Sequence, residues 1–147
     1  MLTDTVTVDD IQIGISADDW EDAIRKSSQI LLEKKSIEPR YVQAMIDTVK
    51  KNGPYMVISK HIALAHARPE EGANETALSF ATLAAPINFN AGDLDPIKLI
   101  ITFSAQSHDT HIDLMGELAE ILIDEEKVNA LINAGTKEEF YRTLKGE

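Results

Sequence analysis

The sequence predicts an α/β protein in which a mixed sheet is covered by helices on both faces, and three observations carry that expectation. Amphipathic helical spacing holds from Trp20 to Gly53, short apolar runs bounded by turn residues fill the stretch from Tyr55 to Ala105, and helical spacing then returns to the end of the chain. The most apolar of the short runs, Lys98 to Ala105 with Leu99, Ile100, Ile101 and Phe103, reads as a central strand buried on both sides. At 147 residues, with no internal repeat or linker, the chain is expected to form one domain, residues 1–147, around a substantial core.

Taken in order, Thr3 to Ser16 alternates Val6, Val8, Ile11, Ile13 and Ile15 with polar neighbours, which predicts a strand or two short extended pieces. Ala17-Asp18-Asp19 supplies a capping carboxylate for a helix from Trp20, whose apolar face is Trp20, Ala23, Ile24, Ser27 and Leu31. That helix is expected to stop at Lys34 and Lys35, where cations suit the negative end of the helix dipole. Pro39 and Gly53 bracket the next one, with Val42, Met45, Ile46 and Val49 at three- and four-residue spacing. Strands are expected over Tyr55 to Ile58, Ile62 to Ala65 and Ala77 to Leu83, the last broken by Ala85-Pro86 because proline has no N–H for a sheet ladder. Asn88 to Asp95 reads as a polar loop, and Pro96 introduces the central strand. Asp109 or Thr110 can cap a helix through Leu114, Leu118, Ile121 and Leu122, and a shorter helix covers Glu125 to Ala134. Gly135 stops it, and Thr136 with Glu139 has the spacing of a capping box that opens a last helix.

Composition narrows the function. A net charge of −11 argues against sequence-independent nucleic-acid binding, which relies on lysine and arginine to displace counterions from phosphates, and favours basic partners through long-range steering. Without cysteine there is neither a disulfide framework nor a thiolate metal site. No apolar run reaches the length needed to span a bilayer, and the first residues lack the features of a signal peptide, so the expected location is cytoplasmic and not membrane-embedded.

The chemistry is expected at histidine. All four fall in two windows, His61 with His66 and His108 with His111. His66 ends the expected strand Ile62 to Ala65 beside Arg68 and Pro69, and a histidine next to a permanently charged guanidinium is suited to an anion. The second window follows the central strand at the start of a helix, where unpaired N–H groups and the positive dipole end favour a bound anion. If the windows meet at the C-terminal edge of the sheet, His66 and His111 can share one phosphoryl group. Arg68 can equally form a small surface ion pair with Glu70 or Glu71, so spacing alone leaves its role open.

The segments EPRYVQAMIDTVKKNGPYMV (Glu38 to Val57), IALAHARPEEG (Ile62 to Gly72) and DTHIDLMGELAEIL (Asp109 to Leu122) resemble the enzyme IIA components of the bacterial phosphoenolpyruvate-dependent sugar phosphotransferase system. The likeness is to the mannitol/fructose type, above all to its ascorbate-specific branch, and it extends in order over nearly the whole chain. It implies a three-layer α/β/α sandwich with a mixed central sheet. It also implies that His66 accepts a phosphoryl group from the phosphohistidine of HPr and passes it to a cysteine of a IIB component, the IIC permease being reached only indirectly. His111 would then stabilise the phosphorylated state, with Arg68 a further candidate contact and with neither cofactor nor metal required. Two partners that address one nitrogen are expected to compete for one surface, for which Ile62, Leu64 or nearby residues are candidate apolar contacts, although most of these are expected in the core. The transported substrate implied is ascorbate or a related carbohydrate, which a IIA component does not itself touch.

Two positions depart from the pattern that this resemblance leads one to expect. Ala65 stands where proline usually precedes the active histidine, and His61 stands where glycine is usual, a bulk expected to bear on the approach to His66. Readings from other classes are a regulatory IIA-like phosphoprotein and a histidine-based metal-binding module in which His61 adds a ligand.

Overall fold

The computed structural model of the protein describes residues 2–107 and 112–146. Five strands, β1 (Ile11–Ile15), β2 (Val57–Ser59), β3 (Ile62–Ala65), β4 (Ala77–Ile87) and β5 (Ile97–Ser104), form a single sheet in the order β1-β4-β5-β3-β2. The sheet is mixed: β1 runs parallel to β4 and β3 parallel to β5, while β4 is antiparallel to β5 and β2 to β3. The expected central strand is indeed central, and every residue of β5 except the half-exposed Lys98 is buried.

Side-chain alternation along the strands separates two apolar clusters, one on each face. Ile62, Leu64, Leu99, Ile101 and Phe103 belong to the first, together with Leu2 and Val6 at the N-terminus and residues of α5 (Ile112–Leu122), α6 (Glu125–Ile132) and α7 (Lys137–Lys145). Leu2 lies in α1 (Leu2–Thr5). Ala63, Ala65 and Ile100 belong to the second, against α2 (Trp20–Ser27), α3 (Gln29–Glu33) and α4 (Pro39–Asn52). Helices therefore cover both faces, giving the three-layer α/β/α sandwich. Full burial of each Leu, Ile or Phe in these layers contributes about 1.5–3 kcal/mol, and Phe80 and Phe140 join sheet to α7 with ring centroids 5.5 Å apart.

Three expectations about elements are corrected. Thr3 to Ser16 is not extended throughout: α1 is followed by a 3-10 turn over Val8–Asp10, and only Ile11–Ile15 joins the sheet. Thr7 and Asp10 stop the strand from starting earlier, because Asp10 accepts the Thr7 amide at 2.8 Å and its buried carboxylate also holds the Lys34 ammonium. The helix from Trp20 does not run unbroken to Lys35 but breaks at Ser28 into α2 and α3. The hydroxyls of Ser27 and Ser28 donate back to the carbonyls of Ala23 and Ile24, both at 2.7 Å, and such back-bonding bends a helix. Finally, β4 continues through Ala85-Pro86 to Ile87. Its ladder with β5 is irregular between Thr82 and Ile87 and its last partner in β1 is at Leu83, so Pro86 sits where no regular ladder bond is required.

The N-caps fall at Asp19 and Thr136 as expected, but the capping box does not close, since Glu139 takes the amide before Thr136. Asp19 accepts the Asp22 amide at 2.8 Å, and Thr136 accepts that of Glu139 at 3.0 Å, while the Glu139 carboxylate reaches back to the Gly135 amide at 2.8 Å. The cap expected at Asp109 or Thr110 lies outside the described residues. Among the described residues, no helix is long and apolar enough to cross a membrane.

Candidate functional site

Because β3 and β5 are parallel and adjacent, in register from Ile62 opposite Leu99 to Ala65 opposite Thr102, their C-terminal ends open on the same edge of the sheet. A crevice beyond the carboxyl ends of parallel strands is where α/β folds commonly hold ligands. Here that edge carries a cleft of about 510 Å³, lined among others by His66, Arg68, Glu71, Tyr55 and, from the last turn of α4, Lys51 and Asn52.

His66 is the first residue beyond β3 and is half-buried. Its Nδ1 lies 2.7 Å from the carbonyl oxygen of Leu64. A carbonyl can only accept, so Nδ1 carries the proton, and in the neutral imidazole Nε2 keeps its lone pair. The ring of Tyr55 meets the imidazole edge-on, with centroids 5.3 Å apart at 74°. The Tyr55 hydroxyl donates to the backbone carbonyl of His66 at 2.5 Å. One residue on, the amide of Ala67 donates to the hydroxyl of Tyr41 at 2.9 Å, and the same hydroxyl lies 2.9 Å from the carbonyl of Phe103 at the end of β5. Burial pushes both phenols up to about 12, so both stay protonated at neutral pH.

The loop after His66 is stitched to the start of α4. Pro69 begins a 3-10 turn over Pro69–Glu71, whose carboxylate at Glu71 accepts the Arg68 amide at 3.4 Å. The Arg40 guanidinium donates to the Glu70 carbonyl at 2.9 Å, and the Glu38 amide donates to that of Gly72 at 2.9 Å. Gly72 has φ of +132°, and a Cβ there would lie 3.2 Å from the backbone nitrogen of Tyr41, so the approach to α4 requires glycine.

Among the described residues, Arg68 makes no ion pair with Glu70 or Glu71, and Lys51 makes none either, although the neighbouring Lys50 pairs with Glu21 at 2.9 Å and Arg40 with Glu38 at 3.4 Å. Both cations line the cleft. His108 and His111 lie outside the described residues, so their meeting with His66 stays an expectation. Ile62 and Leu64, put forward as docking contacts, are buried in the core. Ala67 and Pro69 supply the partly exposed apolar surface beside His66 instead.

His61 does not converge on His66. It precedes β3 while His66 follows it, about 16 Å away at the strand rise. Bulk at 61 therefore does not narrow the approach to His66, and the two histidines cannot ligate one metal. Among the described residues, no three His, Asp or Glu side chains are grouped so as to hold a metal ion. Spacing does not single out Tyr41, Tyr55 or Lys51, though the first two are the tyrosines of EPRY and GPY.

The class defined here is a mixed α/β/α sandwich that presents a histidine, its Nδ1 held by a carbonyl, in a cleft with Arg68 and Lys51 at the ends of two parallel strands. The chain belongs to the family "Phosphoenolpyruvate-dependent sugar phosphotransferase system, EIIA 2", whose model matches residues 4–147. It is 35% identical over 130 residues to the ascorbate-specific phosphotransferase system EIIA component of Escherichia coli strain K12, covering 88% of this chain and 84% of that one. The solution structure of the mannitol-specific cryptic phosphotransferase enzyme IIA from Escherichia coli superposes with a TM-score of 0.90 at 36% identity, over 99% of both chains. The mannitol enzyme IIA in its complex with phosphorylated enzyme IIB, also from Escherichia coli, gives 0.82 at 26% identity, over 97% of this chain and 98% of that one. The protein is thus a phosphoryl-carrier IIA component of the sugar-transport phosphotransferase type.

Proposed function

We propose that residues 1–147 act as one IIA domain that takes a phosphoryl group from the phosphohistidine of HPr onto Nε2 of His66 and delivers it to a cysteine thiolate of a IIB component. The observation that carries this reading is the hydrogen bond from Nδ1 to the Leu64 carbonyl, which leaves Nε2 as the nucleophile. In the first step the Nε2 lone pair attacks phosphorus in line, a P–N bond forms, and the P–N bond to HPr breaks, returning its electron pair to the donor imidazole. The phosphorylated imidazole of His66 carries positive charge shared with Nδ1–H, which the Leu64 carbonyl dipole stabilises. In the second step the thiolate attacks, a P–S bond forms, and Nε2 recovers its pair.

Phosphoryl transfer requires mainly positioning and stabilisation of charge on the equatorial oxygens. Arg68 and Lys51 line the cleft and are available for that, and His111 is assigned the same role from the resemblance. The relatives support ascorbate or a related carbohydrate as the transported substrate, since one is ascorbate-specific and another mannitol-specific. The complex of a mannitol IIA with phosphorylated IIB supports a IIB acceptor.

Intact-mass spectrometry tests the reading, after incubation with phosphoenolpyruvate, enzyme I and HPr and with denaturation kept alkaline because phosphohistidine is acid-labile. One added phosphoryl group on the wild type, none on His66→Ala, and its loss on addition of a IIB component are expected. An unmodified wild type under conditions that phosphorylate HPr would sink the proposal.

A further inference from the structure

The peptide unit between His66 and Ala67 lies beyond the last ladder pair of β3, so neither its carbonyl nor its amide has a partner in the sheet. Both are taken nonetheless, and by the same kind of group. The Tyr55 hydroxyl donates to the His66 carbonyl at 2.5 Å, and the Tyr41 hydroxyl accepts the Ala67 amide at 2.9 Å. We propose that Tyr41 and Tyr55 are positioning residues, a two-hydroxyl clamp that fixes this peptide plane from both ends and so aims Nε2 of His66 into the cleft. The proposal rests on His66 as the phosphoacceptor and adds how its ring is held.

The residues ahead of His66 do not fix it by themselves. Ala65 has no ring to restrict the backbone, and its buried methyl group only packs against the α4 layer. The ring is carried on the Cα of His66, so a shift of the backbone at 66 would draw the imidazole away from the Leu64 carbonyl, releasing the proton on Nδ1 to move to Nε2 and occupy the attacking lone pair. The clamp opposes that shift at two points. Tyr41 is anchored in turn, since its hydroxyl proton lies between the carbonyls of Phe103 at 2.9 Å and Ala67 at 3.1 Å, tying the His66 loop to the end of β5. Tyr55 adds its ring edge against the imidazole. Neither hydroxyl touches Nε2, so their effect passes through His66.

The test uses full-length protein labelled with nitrogen-15 at histidine, as wild type, Tyr55→Phe and Tyr41→Phe. Long-range proton–nitrogen correlation at about pH 8.5, above the ordinary imidazole range, reads the tautomer of His66 directly. Stopped-flow uptake from phosphorylated HPr, normalised to the folded fraction by circular dichroism, reads the rate. The wild type is expected to hold its proton on Nδ1 alone, and each variant to give averaged shifts of mixed tautomers with uptake slowed roughly 10- to 100-fold. A folded Tyr55→Phe protein with wild-type nitrogen shifts overturns the clamp, because a tyrosine that only stabilises the fold leaves the tautomer unmoved. If Tyr41→Phe fails to fold, Tyr55→Phe, which keeps the ring and loses one oxygen, decides the matter. If the wild type takes up no phosphoryl group, the reading of His66 fails, and the nitrogen shifts still decide the clamp.

Discussion

His61 has φ of +73°, a left-handed conformation that costs an ordinary side chain about 1–2 kcal/mol and glycine almost nothing. Its imidazole recovers part of that cost, with Nδ1 2.7 Å from the Pro96 carbonyl. Strain relief and hydrogen-bond loss are each about 1 kcal/mol, so His61→Gly should leave the urea midpoint nearly unchanged, whereas His61→Val should lower stability by about 2 kcal/mol or more. Phosphoryl uptake by the glycine variant should match the wild type, because position 61 lies at the far end of β3 from His66; a changed rate would refute that separation. Tyr41 gives a second prediction at this scale. Its phenol is about 12 in the fold against 10.0 ordinarily, so above pH 10 the unfolded chain releases a proton that the folded chain retains. Its contribution is therefore fully present below pH 10 and is lost as pH rises through 12, amounting to about 2–3 kcal/mol at the upper end. Denaturation followed from pH 9 to 12 should show this fall, and Tyr41→Phe should reduce it by about half, because Tyr55 is raised in the same way; a wild-type midpoint constant over that range would count against the buried phenols. His66 at the end of a strand was legible from an apolar run closed by His-Ala-Arg-Pro. The tyrosine contacts were not, because a hydroxyl aimed at the backbone of a remote segment leaves no mark on periodicity or composition.

Elements position the site through the contact between the 66–72 loop and α4, and Gly72 is the residue on which that contact turns. An alanine there would hold φ of +132° and bring a methyl group to 3.2 Å from Tyr41 Cβ and nitrogen and from Arg40 Cγ. Gly72→Ala should cost about 1–3 kcal/mol of stability. Because the loop can relieve the clash only by withdrawing from α4, the Glu38 amide should lose its bond to the Gly72 carbonyl, and uptake at His66 should slow about 10-fold or more. Thermal melts and uptake rates on the same samples check both, and a destabilised variant with wild-type uptake would separate the loop from the site. The elements that were legible are those whose apolar spacing agrees with their caps, such as α4 between Pro39 and Gly53 and α7 behind Thr136. The misread ones are governed by side-chain contacts that compete with propensity. Ser27 and Ser28 break a well-patterned helix by bonding to carbonyls four residues back, Asp10 imposes a turn on an alternating run, and an irregular ladder admits Pro86 into β4.

For the whole molecule, the layering was legible because β3 and β5 are apolar on both faces, and a strand buried on both faces needs a helical layer on each side. That layering exposes the carboxyl ends of β3 and β5 on one edge, and the consequence for partners follows from geometry. On the proposed route a donor imidazole and an acceptor thiolate must each reach the line through phosphorus and Nε2 of the same His66, so each has to occupy the mouth of the same cleft. HPr and a IIB component should therefore exclude one another on the unphosphorylated protein. In a calorimetric titration, saturating one is expected to raise the apparent dissociation constant of the other in proportion to its concentration, and simultaneous binding at unchanged affinity would mean that the docking surfaces are separate. The overall charge of −11 adds a second signature, since partners that present basic side chains around the reactive atom are drawn in by long-range attraction. Raising ionic strength from about 0.05 to 0.3 M shortens the Debye length from about 14 to 6 Å. Association should then slow several-fold while dissociation changes little, because screening acts on the approach and the cleft contacts persist once formed. A rate independent of salt would show that the acidic surface takes no part in bringing the partners to His66.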